Sequence, residues 1–387
     1  MSCSHEQESG SEKKQPRLGS SEINHITVTT TLQDEDNQLR SFNRKISLSD
    51  IMSTHATQTL DAYLKELLPD SSRSELRSSV LPLLLHSISG VARCLRTSLS
   101  INAAGSTNTS GDSQLNVDLA TNEVVHAAVR KCPSIVAASS EEDEGENRVE
   151  HDEGVRSSES GERYAVAFDP LDGSSIIPAN WTVGTIIGIW DGETALNSDP
   201  RTKQVASMLG VLGPRTTAIV AIRLPESDVE TVFEVGIGEE NAAIEVIRKD
   251  IKFTTVEQVK TRYFAPANLR AAAEFPAYAQ LVNHYISSKY TLRYSGGLVP
   301  DIVHALVKGH GVYISPVTSK SKAKLRRLYE LAPIALIIEC AGGKAVEPVS
   351  GTAILDTRIG VVDETSGLIC GTKEEVDNAL KALGESS

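Results

Sequence analysis

Positive charge is scarce in this sequence. Against 51 aspartates and glutamates stand 38 lysines and arginines, a formal net charge of −13 over 387 residues. Nucleic acids and anionic membrane surfaces are held by the opposite sign, so neither is expected as a partner. Cysteine is scarce too: Cys3, Cys94, Cys132, Cys340 and Cys370 are far apart and form no CxxC pair or ligand-like spacing. They predict reduced thiols, with no disulfide framework and no zinc knuckle. No run approaches the ~18 apolar residues of a membrane span. The first twenty residues contain no apolar h-region and are too acidic for a transit peptide. A soluble, cytoplasmic protein is the expectation. Small anionic substrates stay open, because a bound metal and a few placed basic residues can reverse the sign locally.

Residues 1–45 are polar and rich in Ser, Thr, Glu and Gln and predict a mobile segment. Helical periodicity starts after Ser49 (Ile51, Leu60, Tyr63, Leu64, Leu67, Leu68) and returns from Ser74 to about Leu99. The stretch "AAGSTNTSGDSQ" predicts a flexible loop, and a third helix is expected from about Val117 to Lys131. Strand signals follow in "SIVAA", "YAVAF", "WTVGTIIGIW", "TAIVAIRL" and "TVFEVGI". The acidic, glycine-bearing stretch over 143–162 reads as loop. The back half alternates helices and strands, closing on a helix opened by Thr372 with Glu375 completing a capping box. The outline is an α/β (α+β) enzyme with domains over 46–222 and 223–387.

The chemistry begins at "AVAFDPLDGSSI". An apolar strand ends in Asp169 and Asp172, a crowding of like charges that calls for a cation or polar partner. Gly173 admits close backbone approach, and Ser174 and Ser175 offer hydroxyls and N–H groups suited to a phosphate. Alone, such a D-x-x-D-G reads more readily as a capped turn than as a metal site. A second apolar strand, "SIVAASSEEDE", ends in Glu141 and Glu142, which points to one shared acidic pocket. In "KAKLRRLYELAPIALIIECAGG", Glu330 sits on an amphipathic helix among apolar neighbours and needs a partner. Asp112 and Asp118 bracket a helix start in "SGDSQLNVD". These ligands are hard oxygens with no Cys or His among them, a set that selects Mg²⁺, or Mn²⁺, in two or three ions per subunit. Just before Glu330, Lys324 and Arg326 fit a phosphate clamp. Lys320, Lys322 and Arg327 fit a solvated face.

In this order the elements resemble the fructose-1,6-bisphosphatase family, within the lithium-sensitive, metal-dependent sugar phosphatases. "DPLDGSS" is that family's central signature. The likeness runs from about residue 85 to 380 through "GDSQLNVD", "SSEEDE", "LGPRTT", "LRYSGGLVPD" and "KLRRLYELAP…ECAGG". "SSIIPANWTVGTIIGIW" and "YTLRYSGGLVPDIV" are more similar to its sedoheptulose-1,7-bisphosphatase branch. The resemblance implies a layered αβαβα fold and a Mg²⁺-dependent hydrolase releasing the C1 phosphate of sedoheptulose 1,7-bisphosphate. Fructose 1,6-bisphosphate is the alternative substrate; another phosphatase of the inositol monophosphatase superfamily and an inactive scaffold stand behind it. That other superfamily branch carries Trp-Asp where this chain has Tyr329-Glu330.

The resemblance also implies roles. Glu141, Glu142, Asp169, Asp172, Glu330 and the carbonyl of Leu171 match metal ligands, with Asp112 close by. Asp118 and Glu142 match the pair that orients and deprotonates the attacking water. Asp172, Gly173, Ser174 and Ser175 match the surroundings of the departing phosphate. Asn268, Arg293, Tyr294, Lys324 and Arg326 match groups on the sugar and its distal phosphate. The arginine at the Arg293 position reaches across a subunit interface, which implies a homodimer or homotetramer. Two departures stand out: Pro178 replaces the family's aspartate, and Ser315 lies near its phosphate-binding tyrosine.

Overall fold

Runs such as Trp181–Trp190 alternate too little for a sheet with one wet face. The computed structural model gives the reason: the sheet they build is covered on both faces. It describes residues 25–33, 39–47 and 58–384 apart from 70–72, 109–110, 112, 157, 159 and 239–242. The chain divides into compact units over 1–56 and 57–387. In the first, β1 (His25–Gln33) and β2 (Leu39–Ser47) pair antiparallel. This hairpin begins within the 1–45 stretch expected to be mobile and runs two residues past it; the other residues of that stretch fall outside the description, as does Ile51.

The second unit opens with β3 (Gln58–Thr59) and α1 (Leu60–Leu67). A π-helical turn (Leu76–Val80) runs into α2 (Leu81–Thr97). The glycine-rich stretch read as a loop is the hairpin β4 (Ala103–Thr107) and β5 (Ser113–Leu115), followed by α3 (Asn116–Val129). Next come β6 (Ile135–Ser140), β7 (Glu146–Arg148), β8 (Tyr164–Asp172), β9 (Val183–Asp191), α4 (Pro200–Lys203), β10 (Gln204–Leu212), β11 (Thr216–Leu224), β12 (Val229–Ile237) and β13 (Ile244–Arg248). They form a nine-stranded sheet in the order β3-β13-β12-β11-β10-β9-β8-β6-β7, antiparallel except for β6 against β8. The acidic stretch over 143–162 is thus not all loop, because β7 pairs with β6. The seam expected near residue 222 falls inside β11, and the same sheet continues to Arg248.

A second sheet begins at β14 (Tyr263–Pro266) and continues through α5 (Pro276–Ser287), β15 (Thr291–Leu292), α6 (Leu298–Lys308) and β16 (Val312–Ser315). After β17 (Leu325–Arg326) and a π-helical turn (Arg327–Leu331) come α7 (Ala332–Cys340), β18 (Lys344–Val346), β19 (Thr365–Ser366), β20 (Leu368–Gly371) and α8 (Lys373–Gly384). The sheet order is β15-β14-β16-β20-β18, and β17 pairs with β19 apart from it.

Side-chain alternation along each strand assigns the layers. On β8, Tyr164, Val166 and Phe168 pack with α1, α2 and α3, while Ala165 and Ala167 pack toward α6 and α7. On the second sheet, Tyr313 and Cys370 face α6 and α7, whereas Val312 and Ile369 face α5 and α8. The result is α-β-α-β-α, as the resemblance implied. Expected to be amphipathic, α7 is instead buried at every position but Glu339, because a sheet lies on either side. Glu339 is met there by Arg201 at 2.5 Å and Arg223 at 3.3 Å. The helix Leu76–Thr97 is long and apolar enough to cross a membrane. Its apolar side, from Leu81 through Leu84, Leu85 and Ile88 to Val91, is buried in the core, where each Leu→Ala would cost about 2–5 kcal/mol. At α8, Glu375 takes hydrogen bonds from Tyr290 and His310, and the Thr372 hydroxyl accepts from the Gly311 N–H, in place of the expected capping box.

Candidate metal and phosphate site

Two carboxylate pairs far apart in sequence meet because β6 and β8 are parallel neighbours. Ser140 stands opposite Phe168, and the Glu141 N–H donates to the Phe168 carbonyl at 3.1 Å. Both strands therefore deliver their acidic ends to one edge, the usual place for a site in an α/β sheet. A regular strand would send Asp169 and Asp172 to opposite faces, since they are three residues apart. Instead the pairing slips: Asp169 stands against Ile186 and Asp172 against Gly184, three steps against two. This bulge turns both carboxylates to the same side. Glu330 arrives on the π-helical turn before α7, where it accepts from the Arg326 N–H at 2.5 Å. One oxygen from each of Asp169, Asp172 and Glu330 lies within 4.8 Å of the others, and all three residues are buried.

These carboxylates do not ionise together readily. Burial, then the charges of Glu141, Asp172 and Glu330, pushes Asp169 well above the usual carboxylate range. Glu330 is driven the same way by burial and Glu141. Burial raises Asp172 to about 6, although the N–H groups of Val299 and Leu298 pull against it. Glu142 rises to about 7, chiefly through burial, with Gln114 opposing and Asp118 and Glu141 adding to it. Asp118 is raised by burial against one bond from the Leu115 N–H, and its Oδ1 has no hydrogen-bond partner. An all-oxygen donor set that holds protons for want of positive charge fits a hard divalent cation.

A cavity of about 450 Å³ gathers these groups. Asp118, Glu141, Glu142, Asp169, Leu171, Asp172 and Glu330 line one side. Gly173, Ser174 and Ser175, at the start of a 3₁₀ turn, and Lys324 and Arg326 complete it. Gly173 has φ +92°, a backbone conformation that side chains rarely adopt, so the turn favours glycine. Arg326 is buried and meets Glu141 at 2.9 Å. Asp112 lies outside the described residues. Asn268, Arg293 and Tyr294 do not line the cavity. The Asn268 amide donates to the Pro316 carbonyl at 2.8 Å, Arg293 donates to the Leu292 carbonyl and lies over the Tyr263 ring, and Tyr294 is exposed. Lys320 and Lys322 are exposed, whereas Arg327 is buried, its backbone N–H bonded to the Glu364 carbonyl at 2.8 Å. A solvated face is wrong for Arg327 because the π-helical turn rolls it inward.

Asn108, Ser113, Gln114 and Leu115 line the cavity and escaped the sequence reading, whereas the Gly296–Gly297 pair reads in the sequence as making room at the distal end. Gln114 donates to the Glu142 carboxylate at 2.5 Å, and Asn108 and Gly296 face the same space. Gln114 lies inside the motif "GDSQLNVD", but an amide announces no chemistry without its partner.

Clustered buried carboxylates beside a Gly-Ser-Ser turn and two basic residues define a metal-assisted phosphate-ester hydrolase. The fructose-1-6-bisphosphatase N-terminal domain matches residues 69–234 and its C-terminal domain residues 257–384, and the chain belongs to this family of sugar bisphosphatases, which use divalent metals. A chloroplastic sedoheptulose-1,7-bisphosphatase of Triticum aestivum is 35% identical over 329 residues, covering 85% of this chain and 77% of its own. A class 1 fructose-1,6-bisphosphatase of Geobacter sulfurreducens is 31% identical over 288 residues, 73% of this chain and 84% of its own. A crystal structure of a Toxoplasma gondii protein, provisionally named a sedoheptulose-1,7 bisphosphatase, superposes with a TM-score of 0.74 at 33% identity, covering 86% of this chain and 100% of the other.

Proposed function

We propose that this chain is a Mg²⁺-dependent bisphosphatase that hydrolyses the C1 phosphate of sedoheptulose 1,7-bisphosphate. The observation that carries the reading is the cluster of Asp169, Asp172 and Glu330 within 4.8 Å, next to the Gly173–Ser175 turn. These three, with Glu141, Glu142 and the Leu171 carbonyl, would hold two or three Mg²⁺, or Mn²⁺. When bound, the ions supply Lewis acidity and neutralise the ester's charge. Glu142 takes the proton of the attacking water, a task suited to a carboxylate pushed up to about 7. Gln114 fixes its direction, and Asp118 orients the water with its unpartnered oxygen. Ser174 and Ser175 receive the departing phosphate. Lys324 and Arg326 hold the substrate, while Asn268, Tyr294 and the Arg293 of a neighbouring subunit bind the distal end in a homodimer or homotetramer.

Substrate choice follows the sedoheptulose-1,7-bisphosphatase relatives, and Ser315, where a tyrosine would narrow the distal end, agrees with a longer sugar. Similarity to class 1 fructose-1,6-bisphosphatases supports the six-carbon ester as a slower substrate. The test is kcat/KM for the two bisphosphates with Mg²⁺. We expect the seven-carbon ester to lead by roughly 10- to 200-fold, the scale of a pocket difference. A ratio favouring fructose 1,6-bisphosphate overturns the substrate and leaves the sugar bisphosphatase.

A further inference from the structure

The segment Ser295–Val299 joins the loop carrying Arg293 and Tyr294 to helix α6, and its backbone is bound in an unusual way. Its five consecutive amides all donate to side-chain oxygens. Ser295 and Gly296 donate to the two oxygens of Asp301, at 2.8 and 3.4 Å. Gly297 donates to the Ser295 hydroxyl at 3.2 Å. Leu298 and Val299 donate to the two oxygens of Asp172, at 3.1 and 2.6 Å. The Asp301 N–H returns to the Gly297 carbonyl at 3.4 Å, closing the turn on itself. Asp301 is buried and lies in the first turn of α6, where a carboxylate also suits the helix dipole.

The turn so fixed is not remote from the chemistry. Gly296 faces the cavity, with φ +98° and Ile176 of the phosphate turn 3.3 Å from where its Cβ would stand. One of the two anchoring carboxylates, Asp172, belongs to the acidic cluster. The other, Asp301, does not line the cavity. Its two bonds hold Ser295 and Gly296, and through them the backbone from which Tyr294 and Arg293 project.

We infer that Asp301 is a positioning residue for the distal end of the substrate: by clamping the Ser295–Gly296 amides it sets where Tyr294 and Arg293 are presented, without touching a reacting atom. This rests on the bisphosphatase reading above. It assigns Asp301 to binding of the far phosphate and not to cleavage of the near one, which separates two kinetic constants.

The experiment compares Asp301→Ala and Asp301→Asn on sedoheptulose 1,7-bisphosphate and on sedoheptulose 1-phosphate, at saturating Mg²⁺. For Asp301→Ala, KM for the bisphosphate should rise about tenfold or more with kcat within about threefold of wild type. On the monophosphate, which has no distal phosphate to lose, kcat/KM should stay within about threefold. Asp301→Asn keeps a carbonyl oxygen for the Ser295 amide and should recover most of the loss. If Asp301→Ala does not fold, Asp301→Asn, which keeps an acceptor for only one of the two amides, should give the same split at a smaller amplitude. Equal losses on both substrates, or none on either, beside a wild type that prefers the bisphosphate, overturn the role of Asp301. A wild type indifferent to the distal phosphate overturns the bisphosphatase reading itself, and this inference with it.

Discussion

The carboxylate end of the cavity and the surface around Arg293 and Tyr294 are built on different principles. At the first, three separate segments converge and their acidic groups are buried and bonded: Asp169 to the Leu171 N–H, Asp172 to two helix amides, Glu330 to the Arg326 N–H. At the second, the side chains are exposed and do not line the cavity within one chain. The difference follows from electrostatics. Like charges forced together in low dielectric must be fixed by the scaffold beforehand, because nothing in water would assemble them. Basic and phenolic groups that grip a phosphate at the rim need no such burial, and a neighbouring subunit can supply their setting.

The sharpest way to break this contrast is to remove one acidic group from the built end. Glu330→Gln should lower kcat by roughly 10³-fold or more, since no neighbour replaces a ligand held on its own π-helical turn. Asp172→Ala should be as inactive but also less stable, by about 0.5–2 kcal/mol, because its oxygens cap α6 at Leu298 and Val299. Sequence alone suggests that Asp172→Ala leaves the fold untouched by relieving charge, and the structure argues otherwise. Phosphate release and thermal melts measure both effects. Near-normal turnover of Glu330→Gln in saturating Mg²⁺ sinks the metal assignment.

At the distal end a smaller loss is expected. Arg293→Ala should raise KM by about 10- to 100-fold and leave kcat within a few fold, as for one charged group on a phosphate. If the arginine serves the neighbouring subunit, mixing Arg293→Ala with inactive Asp172→Ala should restore activity in hybrids that pair an intact acidic cluster with an intact arginine. A mixture no more active than Arg293→Ala alone places the arginine in its own chain's site.

The same contrast decides what could be read from sequence. The acidic cluster was legible because chemistry and local structure coincide: apolar runs ending in paired acids declare a strand end and a ligand at once. Their convergence needed the parallel pairing of β6 with β8 and the slip between Asp169 and Asp172, neither of which leaves a residue-type signature. Arg327 and α7 were misread for one reason. Periodicity reports a polar and an apolar side, but not the second sheet that covers α7 or the Ile354 and Glu364 carbonyls that receive Arg327 on its π-helical turn. Asp301 and Gln114 were missed because their partners, two backbone amides and a carboxylate, are identified only by the fold.

The smallest effect separates the two ends by pH. Without divalent ions, Glu142 is raised from 4.5 to about 7, Asp172 and Asp301 from 3.8 to about 6, Asp169 and Glu330 well above the usual carboxylate range, and Asp118 in the same direction, chiefly through burial. The folded protein therefore holds protons that the unfolded chain has released, so stability falls as pH rises from about 4.5 to 7.5. Asp143 and Glu375, with lowered values, act below that window, and His304, pushed down by burial, opposes the trend only below about pH 6.5. In EDTA, Tm should drop by several degrees between pH 5 and 7.5. Saturating Mg²⁺ should cancel the share of the cavity carboxylates Asp118, Glu142, Asp169, Asp172 and Glu330, since a cation favours their ionised forms. It should leave the share of Asp301, which does not line the cavity. Asp301→Asn should then flatten what slope remains in Mg²⁺ and only part of the slope in EDTA. A Tm in EDTA that climbs from pH 5 to 7.5 would show that the carboxylates carry compensating charge within the chain and need no metal to ionise.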